Sequence, residues 1–191
     1  PSGPYFKGGL SGVAIWVERE YHRAGPGGTG SAKAGGNYAA SLLPQIQAEA
    51  KGFSQVCFLD TYEGKYLEEL GGMNMFVVMA DGTIRTPELT GVILEGGTRS
   101  AILRLLRDEG VDVREEKIAL SEVVDGIRSG AVAEVFACGT AAVVTPITRL
   151  GGDDFDVEIE VGDKTREIHK RLTDIQWGRA VDPYGWTYRL A

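Results

Sequence analysis

Cysteine is scarce in this chain of 191 residues, and the two cysteines present, Cys57 and Cys138, lie far apart in sequence. They form neither a CxxC pair nor a spacing typical of a zinc site, so they indicate no metal centre. Both are flanked by apolar residues, and cysteine in such surroundings usually packs as a small buried hydrophobe. We therefore expect no metal and a reducing, cytoplasmic location.

Excess basic charge is also lacking: the formal net charge is −7, and no basic stripe is present that could neutralise phosphates. No apolar run approaches the length of a membrane span, and the first residues lack the basic-then-apolar pattern of a signal peptide. Hydrophobic residues make up 43% of the chain and charged residues 25%, which is ordinary for a soluble globular protein. We expect neither a nucleic-acid partner nor a membrane partner.

Glycine, by contrast, is concentrated around one lysine. Residues 27–42 read GGTGSAKAGGNYAASL, so Lys33 lies among five glycines and a helix-forming run follows at once. Glycine lets the backbone approach a ligand closely, and a lysine partly shielded from water becomes a usable amine nucleophile. On spacing alone, a flexible surface loop with a solvated lysine is the more common arrangement.

The spacing of apolar and turn residues predicts strands that alternate with helices. Asp81-Gly82 between two apolar runs is a strong two-residue hairpin signal, and Ser121 before acidic residues predicts a helix N-cap. We predict a single α/β domain with a mixed or antiparallel sheet. Strands are predicted at residues 13–17, 56–59, 75–79, 83–86, 111–114, 132–136 and 142–147, a turn at 138–141, an acidic hairpin at 154–161, and helices at 38–51, 98–110, 121–130 and 164–175.

Five segments, in order along the chain, carry a resemblance to a known family. The lysine segment is followed by residues 69–74 (ELGGMN), 96–99 (GGTR), 136–141 (FACGTA) and 172–178 (LTDIQWG). Together they resemble the motifs of the branched-chain amino acid aminotransferases, which are class IV, or fold-type IV, pyridoxal-phosphate enzymes. The resemblance implies an α/β (α+β-like mixed sheet) large domain, a pseudo-barrel flanked by helices. It also implies transamination of leucine, isoleucine and valine with 2-oxoglutarate, dependent on pyridoxal 5'-phosphate.

The resemblance assigns roles around the cofactor ring. Lys33 matches the Schiff-base lysine, whose freed amine then serves as general base and acid for the proton shift. Glu69 matches the acidic partner of the pyridine nitrogen. Because successive side chains of a strand point to opposite faces, we expect the adjacent Glu68 to be solvated or salt-bridged instead. Tyr38 resembles the tyrosine that hydrogen-bonds the phenolic oxygen of the cofactor, although a buried core tyrosine also fits its spacing.

A second set of matched residues concerns the phosphate and the substrate carboxylate. Gly97 and Thr98 stand at the predicted start of a helix, where N–H groups and the helix dipole favour phosphate, although Thr98 could merely cap the helix. Arg99 is ambiguous, because a helical side chain points back along the axis. Thr140 and Ala141 match a turn whose amides and hydroxyl hold phosphate or the α-carboxylate of the substrate.

The resemblance also sets expectations beyond this chain. Family members are longer, and the chain opens at Pro1 without an initiator methionine. We expect residues 1–12 to be a remnant of an interdomain connection and residues 13–191 to be the large cofactor-binding domain. The small N-terminal domain, which carries the family's phosphate-binding arginine, would then be missing. Expected partners are amino acid and 2-oxo acid substrates, that missing domain, and a second copy in a homodimer. Alternatives are a D-amino-acid aminotransferase, an aminodeoxychorismate lyase, or an inactive truncated fragment.

Overall fold

A computed structural model describes residues 9–188 and residue 190. Of the predicted interdomain remnant 1–12, residues 1–8 therefore lie outside the described part, and Gly9–Ser11 form a short 3-10 helix. The strands of the described part are β1 (Val13–Glu18), β2 (Gln55–Leu59), β3 (Leu67–Leu70), β4 (Asn74–Met79), β5 (Ile84–Pro87), β6 (Val113–Glu116), β7 (Val132–Gly139), β8 (Val143–Gly151) and β9 (Asp156–Glu158). The helices are α1 (Gly35–Ala50), α2 (Gly97–Asp108), α3 (Leu120–Ser129) and α4 (Asp163–Gln176).

The strands join in one mixed sheet, which confirms the predicted α/β class. Its order is β3-β2-β1-β8-β7-β4-β5-β6, with β9 paired to β8. β1 runs parallel to both β2 and β8, β5 runs parallel to β6, and the other pairs are antiparallel. The parallel pair β1–β2 requires a crossover connection, which is provided by α1 and by the loop of residues 19–34 that contains Lys33, called the lysine loop below.

The two ends of the sheet meet, so the sheet curls into a pseudo-barrel as expected. Just before and within β3, the chain bonds to the segment that follows β6, at the opposite end of the strand order. The Leu67 N–H donates to the Ile118 carbonyl over 2.9 Å, and the Leu120 N–H donates to the Lys65 carbonyl over 2.9 Å. An antiparallel bridge between Tyr66 and Ala119 lies between these two bonds.

Side chains alternate between the inside and the outside of the curled sheet. In β4, Met75 and Val77 join an interior cluster with residues of β1, β2, β7, β8 and α3. Phe76 and Val78 point the other way and pack with apolar residues of α2 and α4. A third cluster, around Trp16, packs under α1. The barrel therefore encloses a packed apolar core, and three of the helices cover its outer face.

Several predicted element boundaries differ from the structure: α1 begins three residues earlier than predicted, and β7 and β8 extend three and four residues further. Two further differences have an identifiable cause. Ser121 is not an N-cap: Ala119 occupies that position, α3 begins at Leu120, and no side chain caps this helix. The strand predicted at 111–114 is β6, two residues later, because the Val111 N–H still donates to the Leu106 carbonyl (3.0 Å) at the end of α2.

Two predicted turns also differ from the structure. Cys138 lies within β7 rather than in a turn, so the connection to β8 comprises residues 140–142. The β4–β5 hairpin is confirmed, but the Met79 N–H donates to the Thr83 carbonyl (2.8 Å), which leaves three residues in its connection instead of two. Both cysteines are buried, as predicted. In the described residues, no helix combines the length and the apolar character needed to cross a membrane.

Candidate active site

Lys33 lies on the loop between β1 and α1, and its side chain is exposed. Asn37 holds this loop in place. Its amide nitrogen donates to the carbonyl oxygens of Thr29 (2.8 Å) and Ala32 (2.9 Å), and its amide oxygen accepts a 2.7 Å bond from the Thr29 hydroxyl. A β-carbon on Gly30 would lie 2.2 Å from the carbonyl oxygen of Val92, so only glycine fits there. These contacts hold the lysine loop in a defined conformation.

Tyr38 lies in the first turn of α1 with 41% of its surface exposed, so it is not a core tyrosine. The Lys33 Nζ atom lies 5.7 Å from the centroid of its ring. The ring also lies beside the turn between β3 and β4, where a β-carbon on Gly72 would be 3.8 Å from Tyr38 Cε1. A β-carbon on Gly139, which precedes Thr140, would be 3.7 Å from the Gly72 carbonyl oxygen. The turn therefore connects the lysine region with the β7–β8 turn.

Glu68 and Glu69 lie at a β-bulge in β3. The register with β2 shifts there, so both glutamates stand opposite the single residue Phe58. A bulge breaks the alternation of side chains along a strand. Leu67 and Leu70, on either side, both pack in the interior cluster, whereas both glutamates are buried outside it. The prediction that Glu68 is solvated or salt-bridged is wrong: it is 8% exposed and forms no ion pair with a described residue.

Arg23 pairs with Glu69 in a buried site that sequence reasoning missed. The distance from Arg23 Nη1 to Glu69 Oε1 is 2.8 Å, and the two side chains are 7% and 2% exposed. Glu69 Oε1 also accepts a 2.7 Å bond from the Leu94 N–H. Arginine at this position offers no signal in the sequence, because an isolated charged residue is usually solvated.

Burial raises the pKa of both glutamates to about 7. For Glu69, the charges of Arg23 and Lys33 and the Leu94 N–H lower the pKa against this effect, while Glu68 raises it. For Glu68, Asp60 raises the pKa further and Arg23 lowers it. Glu68 also lines a mostly apolar cavity of about 230 Å³, beside Val92 and Ile93.

The raised pKa of Glu68 predicts how Glu68→Gln changes stability with pH. A carboxyl whose pKa is raised on folding binds its proton more tightly in the folded state. The contribution of Glu68 to the stability of the parent should therefore fall as the pH rises from 4.5, the ordinary pKa of glutamate, to about 7. Glutamine stays neutral, so we expect Glu68→Gln to gain about 3 kcal/mol relative to the parent at pH 8 and almost nothing at pH 4.

Urea unfolding of both proteins at these two pH values measures the effect. The control is Glu63→Gln, because Glu63 is exposed on the neighbouring turn and its replacement should change stability little. An equal stability difference at both pH values would contradict the assignment.

Gly97, Thr98 and Thr140 line one cavity of about 410 Å³, so the structure brings together the residues predicted to bind phosphate. Gly97 is the first residue of α2, and no side chain caps this helix, so Thr98 is not a cap. The N-cap is Gly96, with φ of +73°, and a β-carbon there would lie 2.1 Å from Asn74 Oδ1. The other residues that line the cavity are Ser100, Ala101, Arg104, Leu172, Gln176, Trp186 and Thr187.

Lys33, Tyr38 and Glu69 are not among the described residues that line this cavity. They are connected to it through the segment before α2. The Leu94 N–H bonds to Glu69, and the Leu94 carbonyl accepts a 2.8 Å bond from Asn74 Nδ2. Leu94 thus links Glu69 to the segment that leads into the N-terminus of α2.

The turn of Thr140 and Ala141 is exposed and lies between β7 and β8. Thr145 braces it, because the Thr145 hydroxyl donates to the Ala142 carbonyl over 3.2 Å. Val143, which follows, has φ of +57°, a left-handed conformation that is an outlier for a β-branched residue. Backbone strain of this kind persists only where the surrounding structure enforces it, and it clusters at functional sites.

Arg99 has a structural role, which removes its ambiguity. Its guanidinium is buried and donates to the Pro87 carbonyl (2.9 Å) and to the Glu115 carboxylate (2.8 Å). It therefore anchors α2 to β5 and β6, and it does not line the cavity of Gly97 and Thr98.

The sequence model of the amino-transferase class IV family matches residues 15–150. The chain belongs to this family. The match includes Lys33, Glu69, Thr98 and Thr140, which are the residues around which the candidate site is built. Class IV aminotransferase membership implies pyridoxal phosphate as the cofactor.

Named relatives of this class IV aminotransferase support the same family. A probable branched-chain-amino-acid aminotransferase of Streptomyces coelicolor is 47% identical over all of this chain, which covers 53% of that relative. The crystal structure of the Escherichia coli branched-chain amino acid aminotransferase has a TM-score of 0.82 at 33% identity, over 97% of this chain and 59% of that one. The branched-chain aminotransferase from the thermophilic archaeon Thermoproteus uzoniensis, solved with norvaline, has a TM-score of 0.78 at 32% identity, over 94% of this chain and 55% of that one. The chain thus spans about half the length of the curated relatives that it matches.

Proposed function

We propose that the full-length protein is a branched-chain-amino-acid transaminase. It would exchange the amino group between leucine, isoleucine or valine and glutamate or 2-oxoglutarate. The observation that carries this proposal is the arrangement of three parts: an ordered lysine loop, a buried Glu69 carboxylate, and a cavity formed by a helix N-terminus and Thr140. The names of relatives that are 44–47% identical support the choice of substrates.

The residues present fit pyridoxal 5'-phosphate. Gly97 and Thr98 offer uncapped helix N–H groups, and Thr98 and Thr140 offer hydroxyls to the same cavity, which suits a phosphate. Glu69 offers a buried carboxylate for the ring nitrogen, and Tyr38 offers a phenol close to Lys33. When bound, the cofactor supplies an electron sink that makes the proton on the amino-bearing carbon of the substrate labile.

The residues of this chain would then hold the reactants and move the proton. Lys33 would hold the cofactor covalently through its amine and, when displaced by the substrate, take up the proton at Nζ and return it. Glu69 would keep its negative charge beside the ring nitrogen, which stabilises a proton there. The amides at Thr140 and Ala141 would orient the substrate through its α-carboxylate without contributing a charge.

We also propose that a second domain, outside this chain, contributes to the site. We expect residues 1–12 to connect the large domain, residues 13–191, to a small N-terminal domain that closes the site. A homodimer in the cytoplasm is the expected form of the protein. The net charge of −7 is consistent with a partner set of small molecules and protein rather than nucleic acid.

Turnover of L-leucine, L-isoleucine and L-valine with 2-oxoglutarate by the full-length protein tests the proposal. The matched control is D-alanine, which separates this activity from that of a D-amino-acid aminotransferase. Release of pyruvate from aminodeoxychorismate separates it from the lyase of the same fold. Turnover of D-alanine or aminodeoxychorismate, with none of the three branched-chain substrates, would contradict the proposal.

Residues 1–191 alone should bind pyridoxal phosphate weakly. The cavity of Gly97 and Thr98 would hold phosphate through amides and hydroxyls. Arg104, the cation among the described residues that line it, is already paired with Asp108 over 3.0 Å. A charge-assisted bidentate arginine contact is roughly twice as strong per bond as a neutral one. We therefore expect cofactor titration, followed by the visible absorption band, to give at least about a tenfold weaker Kd for residues 1–191 than for the full-length protein. Equal affinities would mean that the large domain binds the cofactor unaided.

A further inference from the structure

We infer that Arg23 is a positioning residue for the proposed reaction. Its guanidinium holds Glu69 as a carboxylate and, at the same time, fixes the lysine loop against the segment that leads into α2. The inference rests on the proposed function for its catalytic meaning, whereas the contacts that carry it belong to this chain alone.

The guanidinium of Arg23 joins three separate parts of the site. Nη1 lies 2.8 Å from the Glu69 carboxylate and also donates to the Val92 carbonyl over 2.8 Å. Nη2 donates to the Gly30 carbonyl over 3.2 Å. Gly30 belongs to the lysine loop, and Val92 belongs to the segment before α2. Arginine suits this role because its donors form a rigid planar fork that lysine lacks.

The charges around Glu69 make Arg23 decisive for its ionisation. Glu69 and Glu68 are adjacent and both buried, and Asp60 adds a further negative charge beside Glu68. The positive charges that act on Glu69 are Arg23, in direct contact, and Lys33. A buried carboxylate without a partner takes up a proton, because desolvation disfavours its charged form. Without Arg23, Glu69 would be neutral and could not hold a proton on a ring nitrogen by its charge.

The alternative is that Arg23 has a purely structural role and only holds two loops together. That role depends on hydrogen bonds to the carbonyls of Gly30 and Val92 and not on the charge of Glu69. The two roles are separable, because Arg23→Lys keeps the charge and loses the fork, whereas Arg23→Met loses both.

The first experiment is a double-mutant cycle on the full-length protein before pyridoxal phosphate is added. It compares the melting temperatures of the parent, Arg23→Met, Glu69→Gln and the double variant. Breaking a buried ion pair leaves one charge uncompensated, so Arg23→Met should lower Tm by roughly 6–20 °C. The double variant should recover at least half of this loss. Losses that simply add would overturn the inference, and so would an Arg23→Met variant as stable as the parent.

The second experiment measures leucine turnover by the cofactor-loaded full-length protein. We expect Arg23→Lys to keep kcat within about tenfold of the parent and Arg23→Met to lose at least about 100-fold in kcat, with KM for leucine little changed. The neighbouring Glu68→Gln variant should keep parental turnover. Equal losses in the lysine and methionine variants would mean that Arg23 has only a structural role, and would overturn the inference. If the parent itself does not turn over leucine, the proposed function fails, and the stability cycle still decides whether Arg23 and Glu69 are coupled.

Discussion

Lys33→Ala should abolish transamination by the full-length protein while leaving its fold intact. In the proposed mechanism the amine of Lys33 is needed twice, to hold the cofactor covalently and to move the proton, and no other lysine lies on this loop. The side chain is exposed and the loop is held by Asn37, so its removal should change Tm little. We expect kcat for leucine to fall by at least about 1,000-fold, measured with loaded protein at saturating substrate.

The control for this experiment is Lys65→Ala, which removes an exposed lysine from the turn between β2 and β3. It should retain parental turnover. Leucine turnover by Lys33→Ala within tenfold of the parent would remove Lys33 from the mechanism. Mass spectrometry should show the cofactor adduct on the parent and on Lys65→Ala but not on Lys33→Ala.

Glu69→Gln should impair the proton-transfer step far more than cofactor binding. Glutamine is nearly isosteric and can still accept the bond from the Leu94 N–H, but it carries no charge to hold a proton on the ring nitrogen. We expect kcat to fall by roughly 100-fold or more. The change also leaves the buried Arg23 charge without its carboxylate partner, so the protein should lose about 3 kcal/mol of stability.

Glu68→Gln is the matched comparison, because the bulge places both carboxyls on the outer side of the same strand. It should keep turnover and gain stability at high pH, the opposite of Glu69→Gln on both counts. If Glu68→Gln were the damaging variant, the residue facing the cofactor would be Glu68. Single-turnover absorbance of the loaded protein separates the chemical step from cofactor binding in each variant.

Much of the fold could be predicted from local patterns. Every predicted helix is present, and the apolar positions Ile102, Leu105 and Leu106 of α2 are buried as their spacing indicates. The start of α2 was also predictable to within one residue, because a glycine followed by threonine at a helix start is a local feature. What these elements share is that their conformation depends on residues close by in sequence.

The features that escaped prediction depend on partners far away in the chain. The alternation rule separated Glu68 from Glu69, but the bulge arises from how β3 pairs with β2, which the residues of β3 do not encode. Arg23 is buried only because residues 30, 69 and 92 converge on it. Ser121 failed as a cap because the bridge between Tyr66 and Ala119 fixes where α3 begins. In each case tertiary structure overrides a local preference.

The position of β1 has a consequence for how the chain folds. Although it is the first strand of the described part, it lies inside the sheet and pairs with β8, where Val13 stands opposite Ile147. A chain that emerges from the ribosome in order can pair β1 with β2 early, but the other edge stays open until β8 has been made. Contacts between such distant segments slow folding, because loop-closure entropy must be overcome before they form. The edge of β1 that pairs with β8 is therefore open to non-native pairing during synthesis, and a chain shortened before β8 should depend more on chaperones than a chain that includes it.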